Sequence, residues 1–267
     1  MFAPEDLELV KGDPSARRRF MDELCVAVQP ALVGDLADYD RVSRQRASML
    51  KTAKNARGDL TVLDIWDEKL ADLGGRIVAA RLRAVQELAP FVTTAYSDVA
   101  PDDGVCEVSY ETATQTADGE QLTVAHSASD IAEALLARMK LIRAKEIERG
   151  VNLVGPHRDD LLIQLAGMPA KGYASHGESW SCALALRLAS YDMLTSGDGP
   201  FAVEDGEPVL ILDDVFAELD ATRRRALAER VSTASQVIIT AAVAEDVPSV
   251  LVGATLRVAD GTVTPDA

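Results

Sequence analysis

In PVLILDDVFAELD, residues 208–220, four apolar residues from Val209 to Leu212 run into two carboxylates, Asp213 and Asp214, and a third, Asp220, follows after a short turn. A short continuous apolar run reads as a buried strand, most simply a parallel one. The carboxyl ends of such strands open on the crevice where open α/β sheets bind ligands. There the first acid can hold Mg2+, which takes hard oxygen ligands and keeps much of its water. The second can orient or deprotonate an attacking water. The plainer alternative is a strand that ends in a solvated acidic turn.

A second stretch, YASHGESWSCALALRLA at 173–189, lies upstream. Ser175 and Gly177 stand at the start of a helix, whose free N–H groups and positive dipole end make a natural phosphate seat. Taken alone, Ser-x-Gly also reads as an N-cap and a turn. The two stretches together form an ordered series: a small-residue loop, a buried helix, an apolar strand ending in two acids, and an Ala-Glu-Leu-Asp turn. That is the order of signature motif, Walker B and D-loop in ATP-binding-cassette ATPases.

These groups need a frame. Residues 1–150 read mainly as a helical lobe or arm, and residues 151–267 as the part that carries the signature helix, the Walker B strand and the rest of the sheet. Asp13-Pro14 marks a helix start. From Leu60 to Leu88 the positions Leu63, Trp66, Leu70, Leu73, Ile77, Ala80 and Ala84 alternate steps of three and four, a seam that faces a partner helix. The seam is either bundle core or one side of a short coiled-coil arm, and Gly74-Gly75 would mark a bend in it. VCEVSYE and QLTVAHS flank Asp118-Gly119 and predict a hairpin over 105–125. A helix follows over 129–148, with Asp130 and Glu133 as a capping pair. LLIQL at 161–165 is a strand, Ser196 to Pro200 a loop, and Asp220 the cap of a helix over 220–232. QVIIT at 236–240 completes a βαβ unit with the 209–212 strand. The final GTVTPDA reads as a frayed end.

The 267 residues are enough for one large domain or two modest ones. No apolar run reaches the length of a membrane span, and the N-terminus shows no signal-peptide pattern. Cys25, Cys106 and Cys182 are odd in number and lack metal-ligand spacing, which points to a reducing, cytoplasmic setting. The net charge of -16 argues against a general nucleic-acid binder. Basic residues nevertheless cluster at Arg17 to Arg19 and over 41–57, a stretch with six basic residues and no acid. These are either solvated helix faces or phosphate-contacting strips.

FAPEDLELVKGDPSARRRF at 2–20, GPHRDDL at 155–161 and LILDDVFAELDATRR at 211–224 resemble the RecF family of bacterial recombination-repair ATPases, relatives of the heads of SMC-type proteins. The resemblance runs in order through essentially the whole chain, and FAPEDL and GPHRDD are its specific motifs. It implies an α/β fold, an incomplete ABC/SMC-type ATPase head with a P-loop NTPase-like sheet and a large helical lobe. It implies Asp213 as the magnesium-binding Walker B acid and Asp214 as the catalytic acid. Ser175, Gly177 and Glu178 fall on the signature loop that contacts the nucleotide of the opposite subunit, and Asp220 falls on the D-loop at the dimer interface. Thr240 lies near the switch position, and Glu5 and Asp6 near the region that plays the Q-loop role. His157 and Arg158 belong to the family-specific motif. His176, Glu178, Ser179 and Trp180 depart from the Gln, Gln, Gln and Arg of many relatives. The implied cofactors are ATP and Mg2+. The implied partners are single-stranded, gapped or junction DNA, RecO and RecR, and a second copy in an ATP-dependent homodimer that aids recombinase loading.

No Gly-x-x-x-x-Gly-Lys-Ser/Thr loop occurs in the sequence. In the family that loop lies in an N-terminal segment before FAPEDL, so the expectation is a C-terminal part of such a protein that binds ATP weakly on its own and has an unpaired, association-prone sheet edge. Two other classes compete. One is a non-catalytic interaction module derived from an ATPase head, against which the retained Asp213 and Asp214 argue. The other is a metal-dependent phosphohydrolase using Asp213, Asp214 and Asp220, with Asp159 and Asp160 as further ligands.

Overall fold

The computed structural model describes residues 1–55, 61–196, 207–251 and 253–265. Most of the predicted Ser196 to Pro200 loop, and Leu60 and Arg57, lie outside the described residues. The helices in chain order are α1 (Glu8–Lys11), α2 (Pro14–Val28), α3 (Leu32–Asn55), α4 (Thr61–Val99), α5 (Ala128–Arg149), the short turn α6 (Ala170–Tyr173), α7 (His176–Thr195) and α8 (Ala221–Val231). The strands are β1 (Cys106–Glu111), β2 (Asp160–Leu165), β3 (Met168–Pro169), β4 (Leu210–Asp213), β5 (Val237–Thr240), β6 (Leu256–Ala259) and β7 (Thr262–Pro265). The chain is thus an α/β protein with a large helical part.

The hub is α4, 39 residues long, which packs against α2, α3, α5, α7, α8 and β1. Its apolar seam is buried as core: Leu63, Leu70, Leu73, Ile77, Ala80 and Ala84 are all nearly inaccessible. The helix runs unbroken through Gly74 and Gly75, so these glycines serve close approach instead of a bend. A Cβ on Gly75 would stand 2.4 Å from the Ala128 carbonyl oxygen, and one on Gly74 3.0 Å from Leu135. The start of α5 therefore crosses α4 where side chains are missing. Ser127 caps α5 in a reciprocal box with Asp130, and Gly150 closes it in the left-handed conformation. The capping partner is Asp130 itself; Glu133 takes no part.

Three sheets result. β1 pairs antiparallel with β2, from Cys106 opposite Leu165 to Glu111 opposite Asp160, and β3 extends the sheet. The partner of β1 is therefore a distant strand and not the predicted 121–125 arm of a hairpin. Only a miniature turn survives around Asp118-Gly119, with an isolated bridge between Gln115 and Gln121. The reason lies in side-chain pattern: Cys106 and Val108 face the core and need the alternately buried Leu161, Ile163 and Leu165 opposite them. β4 and β5 form the parallel pair, in register from Leu210 with Val237 to Asp213 with Thr240. Phe2 bridges the other side of β4, donating to the Ile211 carbonyl at 2.8 Å and accepting from the Asp213 amide at 2.9 Å. Of the expected frayed end, the described residues through Pro265 are ordered as strand: β6 and β7 form a hairpin around Asp260-Gly261, both with positive φ, the signature of a tight two-residue turn.

Basic residues from the two predicted strips divide between the interior and the surface. Arg17 makes a two-pronged pair with Asp160 at 2.7 Å. Arg46, fully buried, reaches Asp67, Glu146 and Asn152 at 2.5, 2.6 and 2.8 Å. Burial opposes its charge, but the hydrogen bonds to Glu146 and Asp67 outweigh this and hold its pKa above the ordinary guanidinium value. Arg41 and Arg44 pair with Asp38 and Asp40 on their own helix. Arg17 and Arg46 thus tie elements together, whereas Arg41 and Arg44 stay on the surface, paired within α3.

Candidate functional site

The βαβ unit of β4, α8 and β5 brings Asp213, Asp214 and Thr240 to one end of the parallel pair. The Thr240 hydroxyl donates to the Asp213 carboxylate and accepts from the Asp214 backbone N–H at 3.1 Å. Asp214 sits at φ 52°, in the left-handed region, which a short acidic side chain tolerates better than most. That conformation ends the strand at once and turns the chain into the 3-10 turn Phe216–Glu218. Val215, Phe216 and Leu219 are buried and anchor this turn, leaving the Asp214 carboxylate in solvent.

Oxygen donors at this position fit Mg2+. One Asp213 carboxylate oxygen is fixed by Thr240, which leaves the other for a cation. Among the described residues no three His, Cys, Asp or Glu side chains converge as a metal cage. A magnesium ion held here would take its remaining ligands from phosphate and water, as this ion commonly does. Asp220 is not available for such a shell. Its carboxylate caps α8, accepting from the Thr222 and Arg223 N–H groups at 2.9 Å. Asp159 and Asp160 are committed elsewhere, to Tyr110 and to Arg17, so the phosphohydrolase ligand set does not assemble.

The second group forms at the N-terminus of α7. Ser175 is the N-cap: its hydroxyl accepts from the Glu178 N–H at 3.3 Å, and the Glu178 carboxylate accepts from the Ser175 N–H at 2.6 Å. Those bonds hold the Glu178 carboxyl below its ordinary range. The capping box takes the Glu178 N–H and leaves those of His176 and Gly177 outside it. Gly177 leaves room for its neighbour, since a Cβ there would lie 2.4 Å from the Arg223 guanidinium and that side chain would have to shift. Arg223 is itself pinned by Asp103 and Asp220. Nothing in the sequence distinguished Arg223 from the two arginines that follow it.

Behind the loop, α7 is buried almost all round, from Ser179 to Ala189, and packs on α4. The unusual loop residues pair with one another. Trp180 donates its ring N–H to His176 Nε2 at 3.1 Å and stacks edge-on against Phe2 at 5.7 Å. His176 Nε2 also lies 4.0 Å from the Glu218 carboxylate. Arg223 packs against Gly177 and so joins the signature-like loop to α8, the helix after the Asp214 turn. Among the described residues no hydrogen bond or ion pair joins Ser175, Gly177 or Glu178 to Asp213 or Asp214 directly. The two groups are separate clusters on one chain. Of the Q-loop candidates, Asp6 accepts from the Ala3 N–H and pairs with Arg187 on α7 at 2.6 Å.

The GPHRDD motif is a knot between helices. Gly155 at φ 123° lies so close to Tyr39 that a Cβ would stand 2.2 Å from its hydroxyl. His157 Nδ1 meets that hydroxyl at 2.7 Å, and its Nε2 meets the Asn152 carbonyl at 3.3 Å. A carbonyl only accepts, so Nε2 carries the proton and Tyr39 donates to Nδ1. Burial pushes the His157 pKa down to about 4. Arg158 donates twice to the Asn152 carbonyl, and Arg81 to the Pro156 carbonyl.

No protein-family model matches the chain. Over 98% of its length it is 54% identical to the DNA replication and repair protein RecF of Beutenbergia cavernae, and it spans 70% of that protein. The protein of the same name from Streptomyces avermitilis is 51% identical over 98% of the chain, which spans 68% of it. Among solved structures, the recombination mediator protein RecF with ATPrS superposes at a TM-score of 0.82 and 27% identity, covering all of this chain and 67% of its own. The same mediator with ATP gives a TM-score of 0.80 at 27% identity. The order of the loop, strand and turn, the fold that joins them, and these likenesses lead to one conclusion: the chain belongs to the RecF family of DNA replication and repair proteins.

Proposed function

We propose that this chain works as part of an ATP-dependent DNA-binding protein of recombinational repair, contributing two half-sites to nucleotide sites completed by a second copy. The observation that carries this reading is the Thr240 hydroxyl bridging the Asp213 carboxylate and the Asp214 N–H at the carboxyl ends of adjacent parallel strands. Asp213 is the proposed Mg2+ ligand, and Asp214 the acid that positions or deprotonates the attacking water. Ser175, Gly177 and Glu178 are the proposed contact to the nucleotide of the partner copy, through the open N–H groups of α7. Asp220 is proposed to act through the α8 cap, by holding the turn that follows Asp214. Mg2+ supplies charge neutralisation of the phosphates when bound; the chain's own residues orient it and the water. DNA is the proposed polymer partner, RecO and RecR the proposed protein partners, and the cytoplasm the proposed location. No helix among the described residues is long and apolar enough to cross a membrane.

The sequence contains no Gly-x-x-x-x-Gly-Lys-Ser/Thr loop, so calorimetric titration of the chain with Mg-ATP is expected to show no binding at millimolar nucleotide. Joined to the phosphate-loop segment of the Beutenbergia cavernae relative, it is expected to hydrolyse ATP. Asp214→Asn should then cut kcat by roughly 100-fold or more. Hydrolysis unaffected by both Asp213→Ala and Asp214→Asn would sink the assignment.

A further inference from the structure

Helices α2 and α3 splay apart over α4 and leave a cleft of about 670 Å³ that the proposed nucleotide chemistry does not use. Its floor is aliphatic, with Val26 from α2, Leu36 from α3 and Ile77 from α4. Tyr39 and the Pro156-His157 corner close one side. The volume falls within the range of about 300–1,000 Å³ usual for ligand sites.

The charges around it do not cancel evenly. Asp22 is taken by Arg81 at 2.8 Å and Asp40 by Arg44 at 2.7 Å. Glu23 sits between Arg187 at 3.7 Å and Arg19 at 3.9 Å. Arg18 has no carboxylate within ion-pair reach among the described residues. One of its N–H groups reaches the Asp159 carbonyl at 3.0 Å, and the residue lines the cleft. Burial and the nearby Arg81 and Arg158 push its pKa down, against the opposite pull of Asp160 and Asp159. A guanidinium without an ion-pair partner is well satisfied by a carboxylate from outside.

The lining decides between anionic ligands. Bases of single-stranded nucleic acid seek aromatic faces. Here the aromatic rings are Tyr39 and His157, hydrogen-bonded to each other, and the lining carboxylates Asp22, Glu23 and Asp40 oppose a polyphosphate. Aliphatic walls suit aliphatic side chains. The α2 wall from Ser15 to Val26 extends about 16 Å at 1.5 Å per residue, room for about five residues of extended peptide.

We propose that the α2–α3 cleft docks a short acidic peptide segment of a protein partner, with a carboxylate on Arg18 and aliphatic side chains on Val26, Leu36 and Ile77. The site is separate from Asp213 and the signature-like loop, so its failure would leave the nucleotide reading untouched.

The test is selection of phage-displayed octapeptides on the immobilised chain, beside Arg18→Glu and Val26→Glu variants. Both substitutions fall on side chains that are not fully buried, and a thermal melt matching the parent confirms folding. The expected result is a consensus of Asp or Glu followed by Leu, Ile or Val. A fluorescein-labelled consensus peptide should bind roughly tenfold or more weakly to either variant, and its Glu→Gln or Asp→Asn form should lose affinity equally. Absence of a consensus, a basic consensus, or binding that Arg18→Glu leaves unchanged would overturn the proposal. So would displacement of the peptide by labelled dodecathymidylate whose own binding needs Arg18 and Val26, which would assign the cleft to nucleic acid.

Discussion

Replacing Arg46 with methionine tests whether the basic strip of α3 is structural. The guanidinium is fully buried and satisfies Asp67, Glu146 and Asn152 at once. Methionine keeps much of the stem volume, so the loss is electrostatic. Asp67 retains Arg143 at 2.7 Å. Glu146 retains only the Leu153 N–H, on its other oxygen, at 2.7 Å. The cost therefore falls chiefly on one stranded buried carboxylate, for which about 3–5 kcal/mol is typical. At about 2 °C per kcal/mol for a chain of this size, the melting temperature should drop by about 6–10 °C. Adding Glu146→Gln removes the stranded charge, so the double variant should recover about 1–3 kcal/mol relative to Arg46→Met alone. Urea and thermal unfolding followed by circular dichroism read both numbers. A loss below about 1 kcal/mol for Arg46→Met, or a double variant as unstable as the two single losses added, would refute the reasoning.

Two further outcomes follow from the packing. His157 is held neutral by burial, with a folded pKa of about 4 against an ordinary value near 6.5. A depressed pKa means that its contribution is complete above about pH 6.5 and is lost as pH falls toward 4. Wild-type protein should thus lose about 2–3 kcal/mol more than His157→Asn between pH 7 and pH 4, measured by urea unfolding across that range; parallel pH profiles would count against the buried neutral ring. Gly75→Ala should cost about 1–3 kcal/mol, because the new methyl would meet the Ala128 carbonyl, and a thermal melt unchanged from the parent would show that α5 shifts freely on α4.

The parts of the site legible in the sequence were those written in consecutive residues. An apolar run followed by two acids locates β4 and its end without knowledge of any partner strand. Ser175 with Glu178 three residues later spells its own capping box. What stayed hidden was pairing at a distance. Nothing within VCEVSYE distinguishes a near partner from β2, some fifty positions on, because register is settled by the buried faces of both strands. Arg46 was readable in part: Tyr39, Val42, Arg46 and Leu50 follow steps of three and four, and all four are buried. An arginine inside an apolar stripe is a buried partner-seeker more often than a solvated charge, yet its acids lie on other helices and leave no local trace. The hairpin at Asp260-Gly261 carried a plain turn signal that the adjoining polar tail obscured.

The placement of α7 links the two halves of the molecule. Its N-terminal loop presents Ser175 and Gly177, while its body is buried against α4, the helix that also receives α3 and α5. The loop is met from the front by Arg223, which belongs to the segment after Asp214. A shift of the Asp213–Asp214 strand end relative to α4 must therefore either drag the loop or break the Gly177–Arg223 contact. Close-packed interiors move between discrete arrangements instead of deforming smoothly, so displacement of the segment after Asp214 is expected to disturb the packing of Arg223 against Gly177.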